Sequence, residues 1–380
     1  MKQLALAAST LALFGITGLR AAALYSVTDL GLGSGFSATS INNQGTIAGV
    51  YSPGTVPGSR AFIYSNGQAL FLSTLGGDYS GARAVNNANQ VTGDSSATNG
   101  TGASTHAFLY SNGQMFDLGL GGSVGLSIND AGQIAGEFSQ PGGDHAFLYT
   151  GAQTVDLGTL GGLQSVAFGI NNISEVTGRA DLASGVSHAF LYTAGRMTDL
   201  GTLGGTDSSG TAINNSSQIT GYSTTASGAE HAFLYSNGLM LDLGTLGTMY
   251  TGSGGNSINS LGHVVGSSDY FVPNGEGGYF VRAAFLYSNG TMQNLNSLID
   301  PTLGITLENA VGINDNDQIL ASGRTQNSRY ETFLLTPVPE PTAIVLLAFG
   351  LLVLATAIKA QRSTINTPDK SNLHCHRDEA

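Results

Sequence analysis

Four histidines recur in one five-residue block, and they are the first residues whose type could do chemistry. The block His-Ala-Phe-Leu-Tyr begins at His106, His145, His188 and His231. Imidazole ligates metals and exchanges protons near neutral pH. A residue repeated once per structural unit, however, occupies equivalent places that lie far apart unless they line a shared axis. We therefore interpret these histidines as structural groups that cap a strand or bond to the next unit. We predict no metal site and no catalytic residue.

A long insertion combines aromatic and charged side chains. The unit from Tyr235 to Tyr287 is the longest, and its extra residues fall between positions 267 and 282. The candidate ligand-binding residues there are Asp269, Tyr270, Phe271, Glu276, Tyr279, Phe280 and Arg282. Exposed rings beside charged groups suit the apolar face and the hydroxyls of a sugar, and binding residues concentrate on loops held by a rigid scaffold. The alternative is that the rings fold back and plug their own unit.

Other patterns lack the context that their chemistry requires. Ser123 lies in a Gly-x-Ser-x-Gly pattern, but a strand rather than the required helix is expected to follow it. Asp315-Asn316-Asp317 lacks the glycine and distal glutamate of a calcium loop, so it predicts a turn. Calcium in the loops of this acidic chain stays as an alternative, and no other cofactor is expected. Glycoside cleavage would need acids such as Asp269, Glu276 and Asp300 to converge. A further insertion, residues 94–105, is rich in Ser, Thr, Gly and Asn, which predicts a flexible loop.

The charge balance excludes a nucleic-acid partner. Between residues 24 and 341 there are seven Arg, no Lys and 22 Asp plus Glu, which leaves a formal charge of −15. Phosphate binding needs clustered cations instead. The chain has a single Cys, Cys375, so a disulfide scaffold and a cysteine-ligated zinc site are also excluded. Because 41% of the residues are hydrophobic, a disordered chain is not expected.

Seven copies of one unit fill the middle of the chain and would position these residues. Ala-Phe-Leu-Tyr, or a variant of it, places a phenylalanine at positions 62, 108, 147, 190, 233, 285 and 333. Two further blocks, Ile-Asn-x-x-x-x-Ile/Val-x-Gly and Asp-Leu-Gly, recur in the same order. Apolar runs and Asn-Gly hairpin turns indicate four short strands in each unit. Units of about 43 residues have the size of a β-propeller blade.

The ends of the repeat region predict a closed ring. Residues 24–31 match the last strand of a unit without its partner, and residues 330–336 match the partner strand alone. Pairing these two segments would complete one blade and remove exposed strand edges. We predict an all-β, seven-bladed β-propeller with four-stranded blades over residues 24–336, its last blade closed by both termini. A β-solenoid or a stacked sandwich is the alternative.

The N-terminus has the pattern of a secretory signal peptide over residues 1–23. Lys2 is followed by an uncharged run from Leu4 to Leu19, and Ala21 and Ala23 form an A-x-A cleavage site. Signal peptidase and the secretion machinery are therefore expected partners. An uncleaved anchor is the alternative, although the run is short for a membrane span.

A second apolar run lies near the C-terminus. Residues 342–358 carry no charge. This run of 17 residues is close to the shortest length that a transmembrane helix can have. Lys359 and Arg362 follow, as basic residues do on the cytoplasmic side, and Pro339, Glu340 and Pro341 precede the run. Residues 363–380 then form a tail that is predicted to be disordered and cytoplasmic. A plain membrane anchor would have the same pattern.

The order of features over residues 337–362 resembles the PEP-CTERM sorting signal of Gram-negative bacteria. The resemblance implies that an exosortase-type enzyme processes the protein at the inner membrane for export to the cell surface or extracellular matrix. The chain departs from that pattern by continuing to Ala380. Separately, the His-Ala-Phe-Leu-Tyr and Asp-Leu-Gly-Thr-Leu-Gly-Gly blocks resemble the HAF repeat family of secreted bacterial proteins. That resemblance spans nearly all of residues 24–336 and implies an extracellular location without a defined activity.

Two classes of function follow from these features. The leading hypothesis is an exported, non-enzymatic protein of the cell surface or biofilm matrix that contacts polysaccharide or mediates adhesion. The alternative is a secreted propeller hydrolase or lyase that acts on polysaccharide. The enzyme would bring several non-repeated acids, Tyr, His or Arg together at one mouth of the central channel.

Overall fold

Short apolar strands separated by Gly, Asn and Asp build a ring of sheets. The computed structural model describes residues 24–54, 58–98, 103–247, 251–274 and 277–339. These residues form 28 β-strands in seven four-stranded antiparallel sheets. This part of the chain is therefore a seven-bladed β-propeller with four-stranded blades, as predicted.

The strands follow one another in chain order within each blade. Blade 1 contains β2 Phe36–Ile41, β3 Ile47–Tyr51, β4 Arg60–Ser65 and β5 Gln68–Phe71. Blade 2 contains β6 Gly76–Val85, β7 Val91–Thr98, β8 Ala103–Ser111 and β9 Gln114–Gly121. Blade 3 contains β10 Ser123–Ile128, β11 Ile134–Gln140, β12 Gly143–Tyr149 and β13 Thr154–Gly158. Blade 4 contains β14 Gly161–Ile170, β15 Val176–Leu182, β16 Ser187–Thr193 and β17 Arg196–Asp199.

The remaining blades continue this pattern until the last. Blade 5 contains β18 Gly204–Ile213, β19 Ile219–Thr225, β20 Glu230–Ser236 and β21 Leu239–Asp242. Blade 6 contains β22 Ser253–Ile258, β23 Val264–Val272, β24 Tyr279–Ser288 and β25 Thr291–Asn294. Blade 7 contains β26 Thr306–Ile313, β27 Ile319–Arg324 and β28 Tyr330–Pro337, and its fourth strand is β1 Tyr25–Asp29.

The N-terminal strand closes the ring. β1 lies antiparallel to β28, with Tyr25 opposite Pro337 and Asp29 opposite Phe333. Tyr25 is buried in the core of blade 7, and burial, with the charge of Asp317 as a smaller cause, raises the pKa of Tyr25 to about 12. The phenol therefore stays neutral at this seam across the ordinary pH range. The predicted closure by both termini is confirmed.

The core consists of phenylalanines inserted between neighbouring blades. The block phenylalanines at positions 62, 108, 147, 190, 233, 285 and 333 are all 0% exposed. Phe108 of blade 2, for example, packs with Ala48 and Ala61 of blade 1. Burying one such ring stabilises the fold by about 1.5–3 kcal/mol. Six of the seven rings, all but Phe62, share a buried cluster with residues of the preceding blade, so these contacts join neighbouring sheets.

Two repeated local features account for the remaining sequence pattern. Asn66, Asn112, Asn237 and Asn289 have φ between 51° and 53° at the hairpin turns, a conformation that the Asn-Gly dipeptide adopts readily. In the second strand of blade 3, a Cβ added to Gly136 would lie 1.9 Å from the carbonyl oxygen of Val124. The first strand therefore leaves no room for a side chain at this position. This explains the glycine that ends the Ile-Asn-x-x-x-x-Ile/Val-x-Gly block, which lies in a strand and not in a turn.

The prediction of a flexible loop at residues 94–105 is wrong. β7 runs to Thr98 and β8 begins at Ala103, and the two strands pair from Val91 opposite Tyr110 to Thr98 opposite Ala103. Ser95, Ser96 and Thr98 of β7 and Ser104 and Thr105 of β8 lie within these paired strands, so the polar composition is compatible with a strand here. The insertion is therefore an extended hairpin over most of its length.

The chain divides into two units, Met1–Pro337 and Val338–Ala380. The propeller lies in the first unit, and Val338 and Pro339 are the described residues of the second. The predicted signal peptide (1–23) and most of the predicted sorting signal, with its transmembrane segment and tail (340–380), lie outside the described residues. Within the described ranges, the helical segments are two short 3-10 turns, Leu295–Ser297 and Pro301–Leu303. No helix there is long and apolar enough to cross a membrane.

Candidate functional site

The antiparallel order of the strands separates two faces of the propeller. The first strand of each blade ends in the Ile-Asn turn, and the Asn-Gly turns lie at the same end of the sheet. We call this end the asparagine face. Connections between the second and third strands, and between successive blades, lie at the other end. We call this end the hairpin face, after the long hairpin that blade 6 extends from it. The insertion of blade 6 joins its second and third strands and therefore projects from the hairpin face.

A closed belt of amide hydrogen bonds surrounds the channel at the asparagine face. The first asparagine of each Ile-Asn turn is buried, and its Nδ2 donates to the backbone oxygen of the equivalent asparagine in the next blade at 2.9–3.2 Å. The seven members are Asn42, Asn86, Asn129, Asn171, Asn214, Asn259 and Asn314. The last of them donates to the first. The belt therefore ties blade 7 to blade 1 on the side of the sheet away from β1.

A second layer of polar side chains lies just outside the belt. The following residue in each turn is Asn, Asp or Ser, and six backbone N–H groups donate to the Oδ1 of the next blade at 2.8–2.9 Å. In blade 6 this residue is Ser260. The depression enclosed by the two layers has a volume of about 180 Å³. Burial opposes ionisation of Asp315, but hydrogen bonds from Ser260 and Asn43 outweigh it and lower the pKa of this carboxyl. The predicted turn at Asp315–Asp317 is present.

The block histidines pair with the Asp-Leu-Gly aspartates of their own blades. The Nδ1 of His106, His145, His188 and His231 lies 2.9 Å from a carboxylate oxygen of Asp117, Asp156, Asp199 and Asp242, respectively. Each aspartate also accepts the N–H of the glycine two residues on, at 2.7–2.8 Å. We expected these histidines to cap a strand or to bond to the next unit. They bond instead to an aspartate of their own blade, because the third and fourth strands of a blade are adjacent. His263, outside the block, does bond to the next blade, through Asp317 at 2.7 Å.

Blade 2 extends this contact by one residue. The Oγ of Ser104 lies 2.6 Å from the Nε2 of His106, so Ser104, His106 and Asp117 form a hydrogen-bonded chain. A serine hydrolase uses the same order of groups. The His–Asp contact recurs in blades 3 to 5, where the residue two positions before the histidine is Gly143, Val186 or Ala229. The contact is therefore part of the repeated structure rather than a separate site.

The insertion of blade 6 forms a hairpin that extends beyond the other strands. We call the described residues of this insertion, 269–274 and 277–282, the aromatic hairpin. Its strands pair Asp269 with Arg282, Tyr270 with Val281, Phe271 with Phe280, and Val272 with Tyr279. The Arg282 Nε donates to the Asp269 Oδ1 at 3.1 Å, and the rings of Phe271 and Phe280 meet edge to face with centroids 5.5 Å apart. The structure thus brings six of the seven predicted ligand-binding residues onto one hairpin, while Glu276 lies outside the described residues.

Three of the four aromatic side chains of this hairpin face solvent, while Tyr270 is half-buried. Phe271 is 42% exposed, Tyr279 54% and Phe280 56%. The alternative prediction, in which the rings fold back and plug the blade, is therefore wrong. The hairpin extends past the end of its own sheet, so the core of blade 6 offers these rings no place to pack. Exposed aromatic clusters of this kind mark interaction sites.

A groove runs along the base of the aromatic hairpin. It has a volume of about 820 Å³ and lies between two connections of blade 5, with Glu230, His231, Thr245 and Thr251 among its lining residues. A Cβ added to Gly247 would lie 3.1 Å from the Tyr270 Cα, so the groove wall rests on the hairpin. Burial raises the pKa of Glu230, and the positive charge of Arg282 partly opposes this. Polar and charged groups therefore line the groove beside the exposed rings.

Other candidate residues lie away from the hairpin or are inert. Ser123 is 0% exposed, accepts the N–H of Ala107 and donates to the Leu120 oxygen, so it is a structural hydroxyl on a strand. Asp300 caps the 3-10 turn Pro301–Leu303 through the Thr302 N–H. Among the described residues, no group of three or more His, Cys, Asp or Glu side chains could hold a metal ion.

Sequence reasoning missed Glu230, Arg324 and Tyr330. Glu230 lines the groove, and Tyr330 is 51% exposed at the hairpin face of blade 7. The Arg324 guanidinium lies over the Tyr330 ring, 5.6 Å from its centroid. All three lie in segments of ordinary length, so a search for insertions could not find them. The sequence could have revealed them only through an alignment of the repeats, in which these three residues differ in type from those at the equivalent positions of other repeats.

Comparison with known proteins supports the fold alone. No family model and no curated protein matches the sequence. The β-propeller domain of the Trilobed protease from Pyrococcus furiosus has a TM-score of 0.53 at 8% identity, over 80% of this chain and 94% of that domain. That domain has an open velcro topology, whereas β1 closes blade 7 here.

Two longer proteins contain similar structures. TolB from Acinetobacter baumannii matches with a TM-score of 0.43 and 13% identity, over 77% of this chain and 63% of TolB. The acylaminoacyl peptidase of Pyrococcus horikoshii matches with a TM-score of 0.47 and 10% identity, over 82% of this chain and 54% of the peptidase. The chain thus spans less than two thirds of either protein. At these identities the likeness concerns the β-propeller fold and carries no activity to this chain.

Proposed function

We propose that this protein is an exported, non-enzymatic polysaccharide-contact module of the cell surface or extracellular matrix. The observation that carries the proposal is the aromatic hairpin, whose Phe271, Tyr279 and Phe280 are exposed beside a polar groove. Polysaccharide is the ligand class that matches both features at once. Sugar rings present an apolar face that stacks on aromatic rings, and their hydroxyls bond to charged and amide groups.

Rigidity favours binding at this place. The hairpin belongs to a four-stranded sheet, and the Asp269–Arg282 pair and the Phe271–Phe280 contact both bridge its two strands. A preorganised surface loses little conformational entropy on association. A shallow aromatic platform of this kind holds a ligand by contact rather than by enclosure.

The geometry favours binding over the alternative of a hydrolase or lyase. That alternative requires non-repeated acids to converge at one channel mouth. Asp269, Tyr279 and Arg282 instead lie along one hairpin at the hairpin face, and the Asp269 carboxylate is occupied by Arg282 at 3.1 Å. Glycoside cleavage needs one free nucleophilic or basic carboxylate opposite a second acid. Among the described residues of the hairpin and the groove lining there are two carboxylates: Asp269 is ion-paired with Arg282, which leaves Glu230 without a second free acid in this set.

Export and sorting form the second part of the proposal. The features that support it are the signal-peptide pattern at residues 1–23 and the Pro-Glu-Pro, apolar and basic order at residues 337–362. Signal peptidase would cleave after Ala23. An exosortase-type enzyme would process the C-terminus near Pro339–Pro341, at the inner membrane, and the resemblance of the repeats to HAF proteins agrees with an extracellular location.

Intact mass of the protein from the producing cells tests export. We expect the extracellular fraction to contain a species that begins at Leu24 and ends near Pro339–Pro341, because both signals direct processing at those points. A membrane-bound species that still contains Cys375 would contradict sorting and would indicate a plain anchor.

Binding to polysaccharides tests the contact function. We expect the full chain to bind at least one of cellulose, amylose, dextran, chitin and polygalacturonate in a pull-down, and the double variant Phe271→Ala/Phe280→Ala to bind it at least about fivefold more weakly. Each lost ring removes about 0.5–1.5 kcal/mol of stacking beyond its buried area. Affinity measured by isothermal titration against soluble fragments of the bound polymer gives the ratio.

Phe116→Ala is the matched control for that experiment. Phe116 is 48% exposed on β9 of blade 2, so its replacement removes one ring of comparable exposure away from the hairpin. Equal weakening by the control and the double variant would show nonspecific hydrophobic adsorption. Binding to no member of the panel would overturn the contact function.

A further inference from the structure

One register position distinguishes blades 5 to 7 from the rest of the propeller. It lies three residues before the block phenylalanine, at the hairpin end of the third strand. In blades 1 to 4 it is occupied by Ser59, Thr105, Asp144 and Ser187, and in blades 5 to 7 by Glu230, Arg282 and Tyr330. Pairing supports the equivalence, because Asp269 lies opposite Arg282 and Arg324 lies opposite Tyr330 at the same distance from the block. Large side chains thus replace small ones in three consecutive blades.

These three side chains occupy equivalent positions at the hairpin face of three consecutive blades, and we refer to them as a row. The pKa of Arg282 is raised first by its hydrogen bond to Asp269, and also by the charges of Glu230 and Tyr330. Arg282 therefore lies within electrostatic reach of the equivalent residues on both neighbouring blades. Packed sheets are separated by about 10 Å, so the row from Glu230 to Tyr330 spans about 20 Å over two such steps.

Tyr330 is held in place as a platform at the far end of the row. Its hydroxyl lies 2.9 Å from the Ser322 Oγ, and the Arg324 guanidinium covers its ring at 5.6 Å. Arg324 is fixed in turn by Glu308, with its Nε donating to Oε1 at 2.8 Å. The ring remains 51% exposed. A fixed and exposed tyrosine has the same capacity for stacking as the rings of the aromatic hairpin.

The arginines in and beside the row are ion-paired with carboxylates. Arg282 pairs with Asp269, Arg324 with Glu308, and Arg329 with Glu331 at 3.1 Å. The surrounding chain carries a formal charge of −15 between residues 24 and 341. An acidic protein repels polyanions at long range. The paired arginines offer planar hydrogen-bond donors for hydroxyl groups without a net positive surface.

We infer that the ligand of the aromatic hairpin is a neutral, extended polysaccharide chain that lies across blades 5 to 7, with the groove at one end and Tyr330 at the other. This inference rests on the proposed contact function and names its ligand class. A long chain contacts all three blades, whereas a mono- or disaccharide contacts the hairpin alone. Affinity therefore rises with chain length until the row from Glu230 to Tyr330 is covered.

The test compares fragments of different length with variants at the end of the row. Size-fractionated oligosaccharides from cellulose, amylose, dextran and chitin, together with oligogalacturonates, are titrated against the full chain. We expect the neutral series to bind more tightly with increasing length and the acidic series to bind more weakly at equal length. We expect Tyr330→Ala to lower affinity about 3- to 10-fold for long neutral fragments and to leave short fragments unaffected.

Two further variants separate contact from folding. Tyr330→Phe keeps the ring and should bind like the unsubstituted protein, and Ser187→Ala changes the equivalent position in blade 4, away from the row. A Tyr330→Ala protein that binds long fragments as tightly as the unsubstituted protein does, while Phe271→Ala/Phe280→Ala binds neither long nor short fragments, would overturn the extended site and keep the contact function. Preference for oligogalacturonates would overturn the neutral ligand class. Binding to none of the fragments would overturn both proposals together.

Discussion

Deletion of residues 24–31 from the full chain is expected to open the propeller and to make it self-associate. The deletion removes β1 from blade 7, which exposes the edge of β28 and the core around Phe333 and Leu335. An unpaired strand edge is a template for pairing with another chain. Sedimentation velocity should show concentration-dependent oligomers, and the urea midpoint of unfolding should fall. A monomeric variant with an unchanged midpoint would show that β1 does not close the ring.

A point variant tests the same seam without removing backbone. Tyr25 is 7% exposed and lies in the core of blade 7, so Tyr25→Ala should lower the free energy of unfolding by about 3–5 kcal/mol, as for other buried aromatic side chains. That is a large part of the ~5–15 kcal/mol that stabilises most proteins. Leu24→Ala is the control, since Leu24 is 47% exposed and its loss should change stability by about 0.5 kcal/mol or less.

The fold was predictable because one unit is repeated seven times. Each copy of the Phe block and of the Asn-Gly turn confirmed the strand assignment made from the others, and the split hairpin at residues 24–31 and 330–336 indicated closure. Local chemistry was harder to predict. The pairing of His106 with Asp117 depends on which strands are neighbours and on a bulge beside His106, and a linear sequence does not show either.

The site was predictable only where it changes the length of the chain. The aromatic hairpin is an insertion, so Phe271 and Phe280 were found, but their exposure depends on how far β23 and β24 extend past the sheet. Glu230 and Tyr330 replace residues without altering length. They become visible when the third strands are aligned on the block phenylalanine, because a small polar residue then gives way to a large one in three adjacent blades.

The asparagine belt could not be predicted from one unit, because its hydrogen bonds exist between units. An Ile-Asn turn suggests only that the Asn side chain caps its own turn. In the structure, the Asn129 Oδ1 does accept the N–H groups of Ala131 and Gln133. Its Nδ2 also donates to the Asn171 oxygen of the next blade. Seven such steps complete a circle only when the first and last blades meet, so the belt is a property of closure.

Substitution of one belt asparagine is accordingly expected to destabilise the whole propeller. Asn129 is 3% exposed and makes four hydrogen bonds, to two backbone N–H groups, to Gln133 and to the Asn171 oxygen. At about 1 kcal/mol each, their loss in Asn129→Ala should lower the free energy of unfolding by about 3–4 kcal/mol in urea titrations. Asn215→Ala, which removes an exposed side chain that accepts one N–H group, should cost about 1 kcal/mol. Asn129→Asp retains the acceptor for its own turn but loses both bonds donated by Nδ2, to Gln133 and to the Asn171 oxygen of the next blade, so a loss close to that of Asn129→Ala would place the energy in these two donated bonds rather than in the bonds that the side chain accepts. If Asn129→Asp lowers the free energy of unfolding only as much as Asn215→Ala does, the belt asparagines act mainly within their own turns.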